Sequence, residues 1–144
     1  MKSLGIDYGE KRIGLAISDE SGTFAFGHGI IERTTLEADL TYLVNLIRTE
    51  KIEQMVIGLP KKLDNTLGQK AEEVMEFTDT LQHHLILDNL EIPIITWDER
   101  LTTVQAEQAF KEVNISRTAK RKHINTVAAQ LILQGYIDEK ITPH

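Results

Sequence analysis

The 144-residue chain has no cysteine, which excludes disulfides and every thiolate metal site and agrees with a reducing compartment. It has few aromatic residues, 6% of the chain with Trp97 the only tryptophan. Trp97 and most Phe and Tyr residues fall in stretches that read as buried or hairpin-bound, so no ring platform for base stacking is evident. No apolar run approaches the roughly eighteen residues of a membrane span. The start, one Lys before a strand-like run that soon meets Asp7 and Glu10, resembles neither a signal nor a transit peptide. Cytoplasmic location without membrane association is the expectation, and the Asn114-Ile115-Ser116 sequon is then a chance match. Positive charge is also in the minority: 16 Lys and Arg face 22 Asp and Glu, for a net charge of −6. That argues against a general nucleic-acid coat protein, although local charge decides what a site binds. What remains is ordinary for one globular domain, with 41% hydrophobic and 26% charged residues, and long enough to bury a core without staples. No repeat, low-complexity segment or linker interrupts it.

The stretch from Ser3 to Asp19 organises the rest. Two β-rich runs, 3–7 and 13–18, flank a turn of Tyr8, Gly9, Glu10, Lys11 and Arg12, the pattern of a hairpin. Asp7 ends a strand otherwise suited to full burial. A carboxylate there stays ionised only with a cation, a basic partner or hydrogen bonds. From the strand alone, a turn cap and a metal ligand are equally good readings.

Residues 23–32 form a third β-like run loosened by Gly27 and Gly29, fitting an edge strand with a bulge; His28 between them reads as an exposed or satisfied side chain rather than a ligand. Thr34-x-x-Glu37 reads as a capping box opening an amphipathic helix to about Glu50. A buried strand follows at 54–59, then a polar loop from Lys61 to Gly68. Thr66-x-x-Gln69 reads as a second capping box before a long helix, on which the adjacent His83 and His84 point apart and make no metal pair. The next strand, 92–97, ends at Asp98-Glu99-Arg100. A helix from Thr102 to about Val113, a basic loop from Arg117 to Lys122 and a helix over 124–137 complete the domain, with 138–144 a short tail. The order βββαβαβαα implies an α/β protein with a mixed sheet, an antiparallel set of three strands extended by parallel ones.

In such sheets sites form at the carboxyl ends of strands. Asp7 ends the first strand and Glu99 follows the last, so the two converge if those strands are neighbours. Asp98 and Glu99 face opposite sides of an extended strand, so only one can share the site of Asp7; Glu99 is preferred, with Asp98 paired to Arg100 or capping the turn, and the plainer reading of the triplet is an ion-paired strand end. Oxygen-only ligands suit a hard cation, Mg²⁺ or Mn²⁺, and such ions act with substrate phosphates. The run Arg117, Lys120, Arg121, Lys122 is either solvated surface or a contact for backbone phosphates, and beside a phosphate site the second is preferred. The same holds for Lys11, Arg12, Lys61 and Lys62, with Arg100 beside the acids.

These residues carry a resemblance. Gly5-Ile6-Asp7-Tyr8-Gly9, Lys11-Arg12-Ile13-Gly14, Ala16-x-Ser18-Asp19, Val56-x-Gly58-Leu59-Pro60, Gly68 and Ala71, Asp98-Glu99-Arg100-Leu101-Thr102-Thr103 and Ala128-Ala129-x-x-Ile132-Leu133-Gln134-x-Tyr136 occur in order over nearly the whole chain. The sequence resembles the YqgF/RuvX family, compact relatives of the RuvC resolvase in the RNase H-like superfamily. The resemblance implies an RNase H-like fold with a five-stranded mixed sheet. It also implies a divalent-metal nuclease acting in 5′-end maturation of pre-16S ribosomal RNA, or on branched DNA such as Holliday junctions. Its partners would be pre-rRNA or branched DNA, with ribosomal precursor particles, and the chain a monomer or homodimer. The family's catalytic acids fall on Asp7 and Glu99, the metal ligands. A third, an aspartate before the Ala-Ala pair, is replaced here by Asn125, which offers a carbonyl oxygen but no charge. A binding protein with an impaired site is therefore one rival reading. An actin- or hexokinase-like ATPase is another, but it needs a second glycine-rich phosphate loop, and this chain has none.

Overall fold

The computed structural model describes residues 1–60, 68–98 and 117–141, with 117–125 and 141 described as helical backbone only. Five strands, β1 (Ser3–Asp7), β2 (Arg12–Ser18), β3 (Ala25–Glu32), β4 (Gln54–Leu59) and β5 (Ile94–Asp98), form one sheet in the order β3-β2-β1-β4-β5. β1, β2 and β3 pair antiparallel, whereas β4 joins β1 and β5 joins β4 in parallel. This is the mixed sheet expected from the element order. The helices are α1 (Leu36–Thr49), α2 (Gln69–Leu87) and α3 (Arg117–Ile141). The helix expected from Thr102 lies outside the described residues.

Large and small side chains alternate along the strands, and the alternation sorts the two layers. Leu4 and Ile6, Ile13, Leu15 and Ile17, and Met55, Ile57 and Leu59 face α1 and α2 in the larger core, with Leu40, Leu43, Ile47, Val74, Leu81 and Leu85. The opposite face presents Gly5, Ala16, Ala25 and Val56, and α3 packs there through Ala129, Ile132, Leu133 and Tyr136. Small residues let the helix backbone approach closely. A Cβ on Gly5 would stand 2.7 Å from Leu133 Cβ and 3.0 Å from the Ala129 carbonyl oxygen.

Side chains of α3 also stitch it to the edge strand. Thr126 Oγ1 donates to the Gly29 carbonyl (3.2 Å) and Gln130 Nε2 to that of Ala25 (3.1 Å). Gln134 accepts from the Ala25 amide (2.8 Å) and donates to the Thr23 carbonyl (3.0 Å). These bonds occupy backbone groups that an open edge would leave for another chain. The expected bulge is present: the β2–β3 register slips between Leu15 and Ala16, His28 is the extra residue, exposed, and Gly29 takes φ +95°.

Four local expectations need correction. The N-cap of α1 is Thr35, whose hydroxyl accepts from Ala38 N (3.1 Å), so the capping box read at Thr34 is displaced by one residue. The N-cap of α2 is Gly68, with no side-chain bond, in place of the expected Thr66, which lies outside the described residues. The stretch read as a basic loop is the first two turns of α3, which starts at Arg117 rather than Ile124 and runs through the supposed tail to Ile141. Lys and Arg are good helix formers, so a cationic run is compatible with a helix as well as with a loop. The absence of exposed rings expected of most Phe and Tyr residues does not extend to Phe24 and Phe26, which are exposed beside the β2–β3 hairpin.

Candidate active site

Asp7 closes β1 at the centre of the sheet and is half-buried. Side chains alternate, so Asp7 shares the α3 face with Gly5. Its partner on β2 is Gly14. One step beyond the β1–β4 pair Ile6↔Ile57, the same ladder sets Asp7 opposite Gly58, whose own partner on β5 is Trp97. Both strands beside Asp7 therefore carry glycine at its level, so neither places a side chain of its own next to that carboxylate.

The direction of α3 fixes what stands over this notch. Thr126 meets Gly29 while Gln134 meets Thr23, so α3 runs antiparallel to β3, and hence to β1. Ala129 sits over Gly5. Asp7 lies two residues on, about 6.7 Å along the strand. Residue 125 lies one turn back along the helix, about 6 Å in the same direction. The backbone position of Asn125 is thus level with Asp7.

The convergence expected of the first and last strands is indirect. β4 lies between β1 and β5, so those two strands are about 9.6 Å apart at one rim. Asp98 pairs with Leu59, which belongs to the α1/α2 core, so Asp98 has a register position on the face opposite Asp7. Glu99, Arg100, Lys61 and Lys62 lie outside the described residues, and Arg117, Lys120, Arg121 and Lys122 are placed by backbone only, on the first turns of α3. Residue 117 is eight positions before 125, so those turns extend about 12 Å past the carboxylate level. Among the described residues, no three His, Cys, Asp or Glu side chains gather as a metal set. The Asp7 carboxylate at this rim suits a hard cation, which takes one or two carboxylates and keeps water.

The turn after Asp7 is held from beneath by a group the sequence reading missed. Arg33, just beyond β3, bonds Asp39 Oδ2 through Nε (2.9 Å) and donates from Nη1 to the Gly9 carbonyl (3.1 Å). Its guanidinium lies 4.8 Å from the Tyr8 ring centroid and 5.8 Å from that of Phe77, and the two rings are 4.7 Å apart. The Arg33 amide also donates to the Lys11 carbonyl (3.0 Å). Burial opposes the guanidinium charge, but hydrogen bonds to Asp39 and Tyr8 outweigh it and raise the group above its ordinary pKa. Side-chain exposures of 15% for Arg33 and 3% for Asp39 make this a buried pair; removing one partner of such a pair costs about 3–5 kcal/mol. The only signal in the sequence was an Arg six residues before an Asp on a helix's buried face.

Lys11 is exposed in the turn, and Arg12 pairs with Glu32 across the ladder (3.0 Å). A surface pair of this kind contributes little and yields readily to another anion. Between the turn and the start of α2 lies a cavity of about 570 Å³, lined by Tyr8, Lys11, Arg12, Gln69, Lys70 and Glu73 among others. Lys70 was not anticipated as part of this rim.

Comparison with known proteins agrees with the fold and the motifs. The family model RuvX, described as Holliday junction resolvase, matches residues 1–139. A protein of Halothermothrix orenii named "Putative pre-16S rRNA nuclease" is 43% identical over 138 residues, covering 96% of this chain and 95% of its own. One of the same name from Desulforamulus reducens is 38% identical over 138 residues, covering 96% and 97%. Among solved structures, T. thermophilus RuvC in complex with a Holliday junction substrate superposes with a TM-score of 0.59 at 13% identity, covering 99% of this chain and 98% of that one. The fowlpox virus resolvase with its Holliday junction DNA gives 0.58 at 12% identity, covering 99% and 100%. Sharing this fold with the resolvases, and its sequence over nearly its full length with the rRNA nuclease relatives, the chain belongs to the RuvX (YqgF) family.

Proposed function

We propose that the protein is a divalent-metal-dependent nuclease that hydrolyses a phosphodiester bond of precursor 16S ribosomal RNA in the cytoplasm. The observation that carries this reading is the placement of Asp7 at the end of the central strand, flanked by glycines on both neighbouring strands, on the face covered by α3 and level with residue 125. The relatives at 38–43% identity named for pre-16S rRNA support the substrate. Asp7 and Glu99 would hold Mg²⁺ or Mn²⁺, with Asn125 adding a carbonyl oxygen; when bound, the metal supplies an activated water and charge stabilisation at the phosphate. The chain's own part is to hold the carboxylate in a fixed, partly desolvated position and to bind the strand. Lys11, Arg12 and the cationic turns of α3, with Lys61, Lys62 and Arg100, would contact backbone phosphates, which position a substrate without reading its sequence.

One observation favours a second reading. Asn125 removes a negative charge from the level of Asp7, and a binding protein with an impaired site would retain everything else. The deciding experiment supplies purified protein with Mg²⁺ or Mn²⁺ to matched precursor-rRNA and four-way-junction substrates, beside Asp7→Asn, which removes charge and keeps shape. Metal-dependent cleavage of the RNA that Asp7→Asn abolishes, with unchanged circular dichroism, is expected. Cleavage of the junction alone would redirect the substrate to branched DNA. Binding without cleavage of either would establish the second reading.

A further inference from the structure

We infer that Arg33 is a positioning residue for the Asp7 carboxylate, acting through the Tyr8–Gly9 turn; this rests on the reading of Asp7 as a metal ligand. Asp7 has ladder partners up to its own position only, and the chain leaves the sheet directly after it. The path of the turn that follows therefore contributes to the direction in which the carboxylate leaves the strand. Arg33 grips this turn at both ends, Gly9 through its guanidinium and Lys11 through its amide. It also closes over the Tyr8 ring, which rests on Phe77 of α2.

The guanidinium is tied down in turn. Asp39 lies on the buried face of α1 and takes Nε at 2.9 Å, with its other oxygen accepting from the Thr34 amide at 3.4 Å. The turn is therefore referred to α1, α2 and the end of β3 together, through one planar side chain that donates in two directions at once. Lysine cannot copy that fork, since its single ammonium would satisfy Asp39 or Gly9 but not hold both in this geometry. Gly9 has no room to compensate, because a Cβ there would meet the Arg12 carbonyl oxygen at 2.5 Å.

The test must separate positioning from stability. In the double variant Arg33→Leu with Asp39→Leu, a buried ion pair is replaced by apolar groups, an exchange that commonly preserves stability. The bond to Gly9 is lost. Arg33→Lys keeps a cation for Asp39 and also loses the fork, so it serves if the double variant does not fold. Each is compared with wild type and Asp7→Asn for unfolding temperature, for Mn²⁺ affinity by electron paramagnetic resonance without nucleic acid, and for KM and kcat on the RNA substrate. With the fold and KM preserved, the expected result is about tenfold or more weaker Mn²⁺ binding, the scale of lost outer-shell support. The kcat should fall in step at limiting metal and recover as Mn²⁺ is raised. Mn²⁺ affinity unchanged in a stable Arg33 variant, while Asp7→Asn loses it, would overturn the positioning role alone. Mn²⁺ affinity unchanged in Asp7→Asn would overturn the metal reading of Asp7, and this inference with it.

Discussion

The contact between Gly5 and α3 gives a perturbation whose size follows from the structure. In Gly5→Ala the new Cβ would meet Leu133 Cβ at 2.7 Å and the Ala129 carbonyl oxygen at 3.0 Å. Carbon atoms rest at about 3.5–4.0 Å, and both obstacles are close to the helix backbone, so neither can swing aside. Relief requires α3 to retreat by about 1 Å, with an overpacking cost of about 1–3 kcal/mol. At about 2–4 °C per kcal/mol for a domain near this size, the unfolding temperature should fall by about 2–12 °C. The larger effect should be on activity, because α3 carries residue 125 and the cationic turns across the level of Asp7. A misplacement of about 1 Å can reduce turnover by about a hundredfold. Gly135→Ala is the control. The nearest atoms its Cβ would meet belong to the indole of Trp97, at 3.3–3.5 Å, and alanine favours a helix interior over glycine by about 0.8–1.0 kcal/mol. That variant should unfold at or above the wild-type temperature and cleave normally. Thermal unfolding and single-turnover cleavage measure both. Wild-type stability and rate in Gly5→Ala would refute the claim that this close approach seats α3.

Two further outcomes are expected. Asn125→Asp is nearly isosteric and restores a negative charge level with Asp7, so Mg²⁺-dependent turnover should rise about tenfold or more, equivalent to about 1.4 kcal/mol; unchanged or lowered turnover would place the third ligand elsewhere. Replacing Lys120, Arg121 and Lys122 by Ala should weaken RNA binding regardless of sequence and reduce the salt slope by about 0.7–0.9 per lost phosphate contact; an unchanged slope would leave these turns as solvated surface.

Much of the fold is written in local chemistry. The alternation of large and small residues in β1, β2 and β4 announces both the strands and their two unequal faces, because successive strand side chains point to opposite sides. The hairpin, the edge strand with its bulge and the parallel additions follow from turn residues and element order. Cap positions and the start of α3 were misread, since Thr34 and Thr35 are chemically alike and a cationic run is compatible with loop or helix. Asp7 stood out in the sequence because a carboxylate ending a buried strand requires an explanation.

Tertiary structure alone decided what surrounds that carboxylate. Gly14 and Gly58 flank Asp7 because of strand register, which joins residues far apart in the chain. β4 between β1 and β5, and Asp98 on the far face, are likewise products of pairing order. The level of residue 125 depends on where α3 is seated, which Gly5 and the Thr126, Gln130 and Gln134 bonds to β3 determine. Arg33 and Asp39 acquire their role only when the end of β3 folds back beneath the first turn. Strand and helix periodicities are local, so the sequence displays them directly; register and helix seating are long-range contacts, and they exist only once the chain has closed on itself.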